Sequence, residues 1–361
     1  VPEIWLNYGV TDVVLDIKAE NLEQKIEHEH TTLDDTVVSE RLDGIDLGKP
    51  LTLVLLNHTS AVQKTLLMIF EKCAQKSMPR PKIFAEKQTM NIIKGLLPPE
   101  SQVFAFEGMQ NVDPSLVFIG EMEFDGLFGF DTIATRLLRR FGKEQMLLAY
   151  EKRQGSLPNP GQEAPSLDVA KNFASSFEIS AIEIVAGQKG IADLAVGHPS
   201  NTLSVSKTLA TFTKTVEKHR TLLISTGKNA SNDTLSRSLG SLWNCHSVIK
   251  DEGMAFLLGE CKAGIGSEAI RQFIEGRMSV ERLQKPAKYV DGMEDLLYLS
   301  EIQKKIQIGI VSILPELYIK KLNMKLFDGV KDTLQYVLKH QGARQKISIV
   351  PDGARILLKP N

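Results

Sequence analysis

The chain has 361 residues, with 43 basic and 44 acidic side chains and a formal net charge of −1. That balance creates no long-range field able to gather nucleic acid or an anionic membrane, and no stretch approaches the ~20 consecutive apolar residues of a membrane-spanning helix. Hydrophobic residues at 42% and charged residues at 24% match ordinary globular usage, and the length exceeds the roughly 250–300 residues at which single cores split, so two domains are expected.

The first stretch, "IWLNYGVTDVVLDI", holds two β-rich runs parted at Tyr8-Gly9, which predicts a hairpin. Pro2, Glu3, Asn7 and Asp12 interrupt any apolar leader core there. A polar linker carrying His28 and His30 follows as far as Pro50. "LTLVLLN" then reads as a buried strand, and "SAVQKTLLMIFEKCAQK" as a helix with Val62, Leu66, Ile69, Phe70 and Cys73 on its apolar face. "PKIFA", "QVFAFEG" and "SLVFIGE" are further strand-like runs.

Residues 153–166, "RQGSLPNPGQEAPS", concentrate proline, glycine and polar side chains and mark the predicted boundary between an N-terminal domain (1–155) and a C-terminal domain (165–361), with chain crossings between the two allowed. Beyond it "EISAIEIVAG", "RTLLIST", "GMAFLLGE" and "IQIGIVSIL" predict strands. Helices are predicted over 204–217, 234–243, 266–275, 292–304 and 327–340, and "KISIVPDGARILL" closes the chain as strand, turn and β-like run. Strands alternating with helices imply an α/β fold of two domains with mostly parallel sheets facing an interdomain cleft.

In open α/β sheets, ligands gather beyond the carboxyl ends of strands. That rule selects Asn57, His58, Thr59 and Ser60; Glu121, Glu123 and Asp125; Thr226, Gly227, Lys228 and Asn229; Glu260 and Cys261; and Ser312. The three carboxylates lie within five residues, with a spacing that shares one face if the strand continues; they suit acid–base work or hard-metal binding, against a plain solvated loop. "STGKNASND" places Lys228 among hydroxyl and amide groups, a candidate anion holder. Gly264 and Gly266 lack the third glycine of a dinucleotide fingerprint and the Gly-Lys-Ser/Thr ending of a phosphate loop, which leaves them a backbone role with amides open to an anion. Cys261 sits beside Glu260, whose charge opposes a thiolate; His198 in Gly-His-Pro suits a turn; His28 and His30 suit a solvated linker better than a metal site. The three cysteines, Cys73, Cys245 and Cys261, have no metal-type spacing and point to free thiols in the cytoplasm.

Taken together, the stretches resemble the nickel-pincer lactate racemase family over nearly the whole chain. "IWLNYG" is similar to its opening strand and turn, and "GMAFLLGECKAGIGSEAI" to its strand, acidic-Cys and Gly-Ile-Gly segment. "KKIQIGIVSILPELYIKKLNM" and "KISIVPDGARILL" look like its last strands. The resemblance implies two α/β domains around a ligand cleft and the inversion of a 2-hydroxy acid by hydride abstraction and return on a nickel pincer nucleotide tethered to lysine. Thr59 keeps the family's threonine after the first sheet strand, while Ser60 stands where it has arginine. The stretch from Glu86 to Thr89 holds no histidine; "DGLFGFDTIAT" keeps Gly129 and Phe130 but offers Asp125 and Thr135 where a ligand and an anchor stand; "GKNASNDTLSRSLG" keeps Gly227 alone.

The expectation is therefore a divergent racemase- or epimerase-like protein that acts on or binds a small anionic 2-hydroxy acid, or a non-enzymatic binding or regulatory protein on that scaffold. Asp125, Glu123 and Lys228 are the catalytic candidates, with Glu123 or Asp125 as base or metal ligand. Asn57, Thr59, Ser60, Gly227, Asn229, Gly264 and Gly266 are the substrate-binding candidates. The sequence leaves the metal, the cofactor and homo-oligomer formation open, and the missing amine and imidazole donors weigh against the pincer. The expected partner is a small anionic molecule, not nucleic acid or membrane.

Overall fold

A computed structural model describes residues 3–46, 49–86, 90–98, 100–109, 116–228 and 233–361. In chain order it contains β1 (Glu3–Tyr8), β2 (Thr11–Asp16), β3 (Leu22–Lys25), α1 (Asp35–Leu42), β4 (Thr52–Leu55), α2 (Ser60–Gln75), β5 (Lys82–Ala85), α3 (Met90–Leu96), β6 (Val103–Ala105), β7 (Leu116–Glu121), β8 (Glu123–Asp125), β9 (Gly129–Asp131), α4 (Ile133–Phe141), α5 (Glu144–Glu151) and α6 (Pro165–Ala174). There follow β10 (Ser180–Ala186), β11 (Ile191–Gly197), α7 (Ser206–Ala210), β12 (Thr213–Val216), β13 (His219–Ser225), α8 (Leu235–Cys245), β14 (Ile249–Leu258), α9 (Glu268–Ile274), α10 (Met293–Ile302), β15 (Gln307–Val311), α11 (Glu316–Lys321), β16 (Lys325–Phe327), α12 (Val330–Gln341), β17 (Ile347–Val350) and β18 (Leu357–Pro360).

Two six-stranded sheets organise the two α/β domains. The first has the order β11-β10-β7-β4-β5-β6, parallel throughout except at β10–β11. The second has the order β16-β15-β14-β13-β17-β3 and is wholly parallel. Continuous apolar runs explain this: every residue of β7 is buried, as are residues 253–258 of β14, so both faces of these strands need helical cover. Residues 22–25 pair within the second sheet and residues 180–197 within the first, so the chain crosses between them.

Each sheet reverses its winding once. From β4 the chain builds outward through β5 and β6, then returns to place β7 on the other side of β4. From β13 it builds through β14, β15 and β16, then returns to place β17 on the other side of β13. Loops diverge at such a switch point and leave a crevice beyond the strand ends.

Three expectations need correction. Residues 204–217 do not form one helix: the short α7 gives way to β12, whose β-branched Thr213, Thr215 and Val216 pair in parallel with β18. The linker before Pro50 contains β3 and α1, because the backbone of 22–26 completes the edge of the second sheet; Ile26 N donates to Ile349 O at 2.8 Å. The strand carrying Glu121 stops there, and Glu123 and Asp125 belong to a separate hairpin, with Glu123 opposite Asp131 and Asp125 opposite Gly129. Among the described residues no helix is long and apolar enough to cross a membrane.

That hairpin depends on Gly129, which adopts φ +83 and whose added Cβ would lie 1.8 Å from the carbonyl oxygen of Gln162. Backbone meets backbone at this point, so no side chain can yield. Gly129→Ala is expected to lower the unfolding free energy by at least about 2 kcal/mol in a urea titration, and an effect below about 0.5 kcal/mol would contradict this packing.

Candidate functional site

The end of β4 meets the end of β7 at the first switch point. The Asn57 side-chain amide clamps the Glu121 backbone: its Oδ1 accepts from Glu121 N at 3.0 Å and its Nδ2 donates to Glu121 O at 3.3 Å. Thr59 caps α2 by accepting from Val62 N at 3.3 Å, and its hydroxyl also bonds to the Glu121 carboxyl. Glu121 is 2% exposed. Burial pushes its carboxyl up to about 7, against the pull of Arg355 and with help from the nearby Glu123 charge. Its Oε2 has no hydrogen-bond partner among the described residues.

The second switch point lies across from it. Gly227 adopts φ +79 after β13, and a Cβ there would come within 2.7 Å of Asp352 Oδ1, so glycine admits the carboxylate that follows β17. Arg355 joins the two crevices: its Nη2 lies 3.7 Å from Glu121 Oε1 and its Nη1 lies 3.9 Å from Asp352 Oδ2. Burial raises the Asp352 carboxyl, opposed by the same guanidinium.

The hairpin adds a further set of charges. Glu123 and Asp131 face each other across β8 and β9, where like charges repel. Two guanidiniums fill the space between them. Arg136, on α4, lies 3.0 Å from Glu123 and 2.9 Å from Asp131, and also donates to Glu121 O at 2.8 Å. Arg237, on α8, lies 3.5 Å and 3.3 Å from the same carboxylates. Burial alone would raise Asp131, but Arg136, Arg237 and Arg139 outweigh it and hold the carboxyl at about 2. Arg136 Nε and Nη1 are buried without a partner among the described residues.

The structure thus brings together Asn57, Thr59, Glu123 and Gly227 around Glu121, Arg355 and Asp352. Other candidates stand elsewhere. Asp125 holds its own turn, accepting from Leu127 N at 2.8 Å and Phe128 N at 2.7 Å, while its other oxygen pairs with Arg139 at 2.7 Å; Arg139 pairs in turn with Glu294. Lys228 is 54% exposed and pairs with Asp12 of the N-terminal hairpin at 2.7 Å. Ser60 is exposed at the first position of α2. The Gly264 amide donates to Cys261 O at 2.9 Å, its carbonyl accepts from Leu235 N at 3.0 Å, and Gly266 packs against Thr234, so this turn seats the start of α8. Asn229 and Thr89 lie outside the described residues. His198 bonds to Ser200 and to Phe177 O, and burial raises the Cys261 thiol, consistent with structural roles for both.

Besides Asp131, four site residues escaped the sequence reading: Arg136, Arg237, Asp352 and Arg355. The last two follow a recognisable strand, "KISIV", so the strand-end rule would have found them in "PDGAR". The first two lie on helices, and no sequence signal marks their partners.

A lysine-tethered nickel pincer does not fit this residue set. At the anchor position, the Thr135 hydroxyl is buried, accepting from Thr132 N at 2.7 Å and donating to Asp131 at 2.9 Å. The cations around Glu121 are guanidiniums, which stay protonated and offer no lone pair to a metal. Among the described residues no three His, Cys, Asp or Glu side chains form a metal-holding group.

No protein-family model and no curated protein matches the chain. Among solved structures, the lactate racemase apoprotein from Thermoanaerobacterium thermosaccharolyticum is similar with a TM-score of 0.72 and 15% identity, over 99% of this chain and 100% of that one. A structural-genomics protein from Thermotoga maritima is similar with a TM-score of 0.65 and 11% identity, over 93% of this chain and 100% of that one. The chain has the lactate racemase fold.

Burial also raises Glu183, on β10 at the start of α4, to about 8; both its oxygens accept from Ile133 N at 3.1 Å. A carboxyl with a folded pKa above its unfolded value keeps its proton while the unfolded chain releases one, so stability falls as pH rises from near 4.5 to near 8. Glu183→Gln removes this loss. Between pH 5 and pH 8 the variant should lose on the order of 1 kcal/mol less unfolding free energy than the unsubstituted chain, and parallel pH profiles would contradict the assignment.

Proposed function

We propose that the chain binds a small anionic 2-hydroxy acid where the two switch points meet, and acts on it as a racemase- or epimerase-like isomerase. The observation that carries this reading is the buried, unpartnered Oε2 of Glu121, on a carboxyl that interacts with the guanidiniums of Arg355 and of Arg136, the latter with two buried unpartnered donors of its own. Buried polar atoms without partners are uncommon in native structures, and a cluster of acceptor and donors at a switch point suits a ligand. The guanidiniums would hold the carboxylate, and Thr59 and Asn57 would fix the acid. Glu121, with a carboxyl near 7, is poised to take or return a proton at Oε2 around neutral pH. The fold likeness to a lactate racemase supports the substrate class.

A specific observation supports a second reading, a binding protein without turnover: Thr135 and Asp125, at the positions of anchor and ligand, are spent on a helix cap and a turn. One experiment separates the two. The purified chain is incubated with L-lactate and with D-lactate, binding is followed by calorimetry, and the enantiomers are resolved by chiral chromatography. The isomerase reading expects interconversion that falls by about 100-fold or more in Glu121→Gln, and binding that weakens about tenfold or more in Arg355→Met. Binding without interconversion selects the second reading, and absence of binding overturns both.

A further inference from the structure

Arg355 lines a second space as well. A cavity of about 20 Å³ is lined by Glu27, His28, His30, Gln188, Asp352 and Arg355 together with apolar side chains. His30 stacks on Phe212 with ring centroids 3.9 Å apart, and His28 stacks on His30 at 4.9 Å. The two histidines therefore form a packed wall. Around them, His28 Nδ1, both ring nitrogens of His30, Asp352 Oδ1 and Arg355 Nε are buried without hydrogen-bond partners among the described residues. Five orphan polar atoms on residues that line one small void point to a hydrogen-bonding occupant.

Size and charge narrow that occupant. A cavity needs about 10–15 Å³ to take a water-sized group, so this one takes a single small group and not a whole acid. A cation would meet the Arg355 guanidinium, and an anion would meet the Asp352 carboxyl. Burial, then the neighbouring His28 and Arg355, depress His30 to about 4, so its ring is neutral at pH 7 with one nitrogen donating and the other accepting. Glu27 is paired with Lys25 at 2.8 Å, so the space is left with both donors and acceptors. A hydroxyl, which gives one hydrogen bond and accepts others, matches that set.

Arg355 lies 3.7 Å from Glu121 Oε1 through Nη2 and also lines this cavity, so the cavity adjoins the Glu121 site across one shared side chain. Resting on the site reading above, we propose that the His28–His30 cavity is a specificity subsite for a second hydroxyl, so that the ligand is a hydroxy acid with a further hydroxyl-bearing carbon, with glycerate as its smallest probe. The second hydroxyl donates to Asp352 Oδ1 and accepts from Arg355 Nε or His30.

The test is calorimetric titration of the full chain with glycerate and with lactate at pH 7. Glycerate is expected to bind at least about tenfold more tightly, since a site built to bond a hydroxyl discriminates against an acid lacking it. His30→Phe keeps the stack on Phe212 and removes the polar wall; it should erase the advantage of glycerate while leaving lactate affinity within about twofold, which also reports that the variant is folded. Should His30→Phe fail to fold, His28→Leu must give the same collapse. Equal affinities in the unsubstituted chain, or an advantage that survives the substitution, overturn the subsite. Failure of both acids to bind overturns the site reading on which it rests, a separable result.

Discussion

The Arg355 guanidinium, set between Glu121 and Asp352, is the contact on which the arrangement of this molecule depends. Glu121 ends a strand of the first sheet and Asp352 follows a strand of the second, so one cation ties together the crevices of two separately wound sheets. Arg237 makes a second crossing, from the helix between β13 and β14 to the carboxylates of the β8–β9 hairpin. Arg139 makes a third, from Asp125 to Glu294 at the start of α10. Buried ion pairs of this kind contribute little net stability, because desolvation offsets the attraction, yet losing one partner strands a charge and is costly. Their effect is to fix geometry: the two strand-end crevices cannot drift apart without orphaning several charges.

The same network explains why a fold like that of a lactate racemase can stand with a different residue set. Guanidiniums paired with carboxylates fill the space beside the β8–β9 hairpin, and Thr135 is bound into the helix cap next to them. Not every polar atom is used. Glu121 Oε2, Arg136 Nε and Nη1, Asp352 Oδ1 and Arg355 Nε are buried and unpaired among the described residues, so any chemistry is confined to a small volume. Burial keeps the Glu121 carboxyl near 7 while Asp131, a short distance along the chain, is held near 2 by its arginines, so one site carries an acid and a fixed charge together.

The fold was legible because hydrophobic runs of strand length alternate with amphipathic helices, and β4, α2, β7, β13, β14, β15 and β17 lie where that pattern placed them. The misread segments have physical reasons. "TFTKTV" carries too few apolar residues to look like a strand until β18 is there to pair with it, and β3 becomes a strand only through an edge offered more than 300 residues later. The site was half legible. Asn57, Thr59, Glu123 and Gly227 followed from strand ends, whereas Arg136 and Arg237 gain their meaning from tertiary pairing, and Lys228 was drawn off by Asp12 of the N-terminal hairpin.

A double-mutant cycle on Glu121→Gln and Arg355→Met, with unfolding free energies measured at pH 8 where Glu121 is ionised, addresses the junction of the two sheets most directly. If the two side chains join the crevices as described, the single effects will fail to add, with a coupling energy of about 1 kcal/mol or more. Additivity within about 0.3–0.5 kcal/mol would mean that the two strand ends do not share a site, and the account built on their meeting would be wrong.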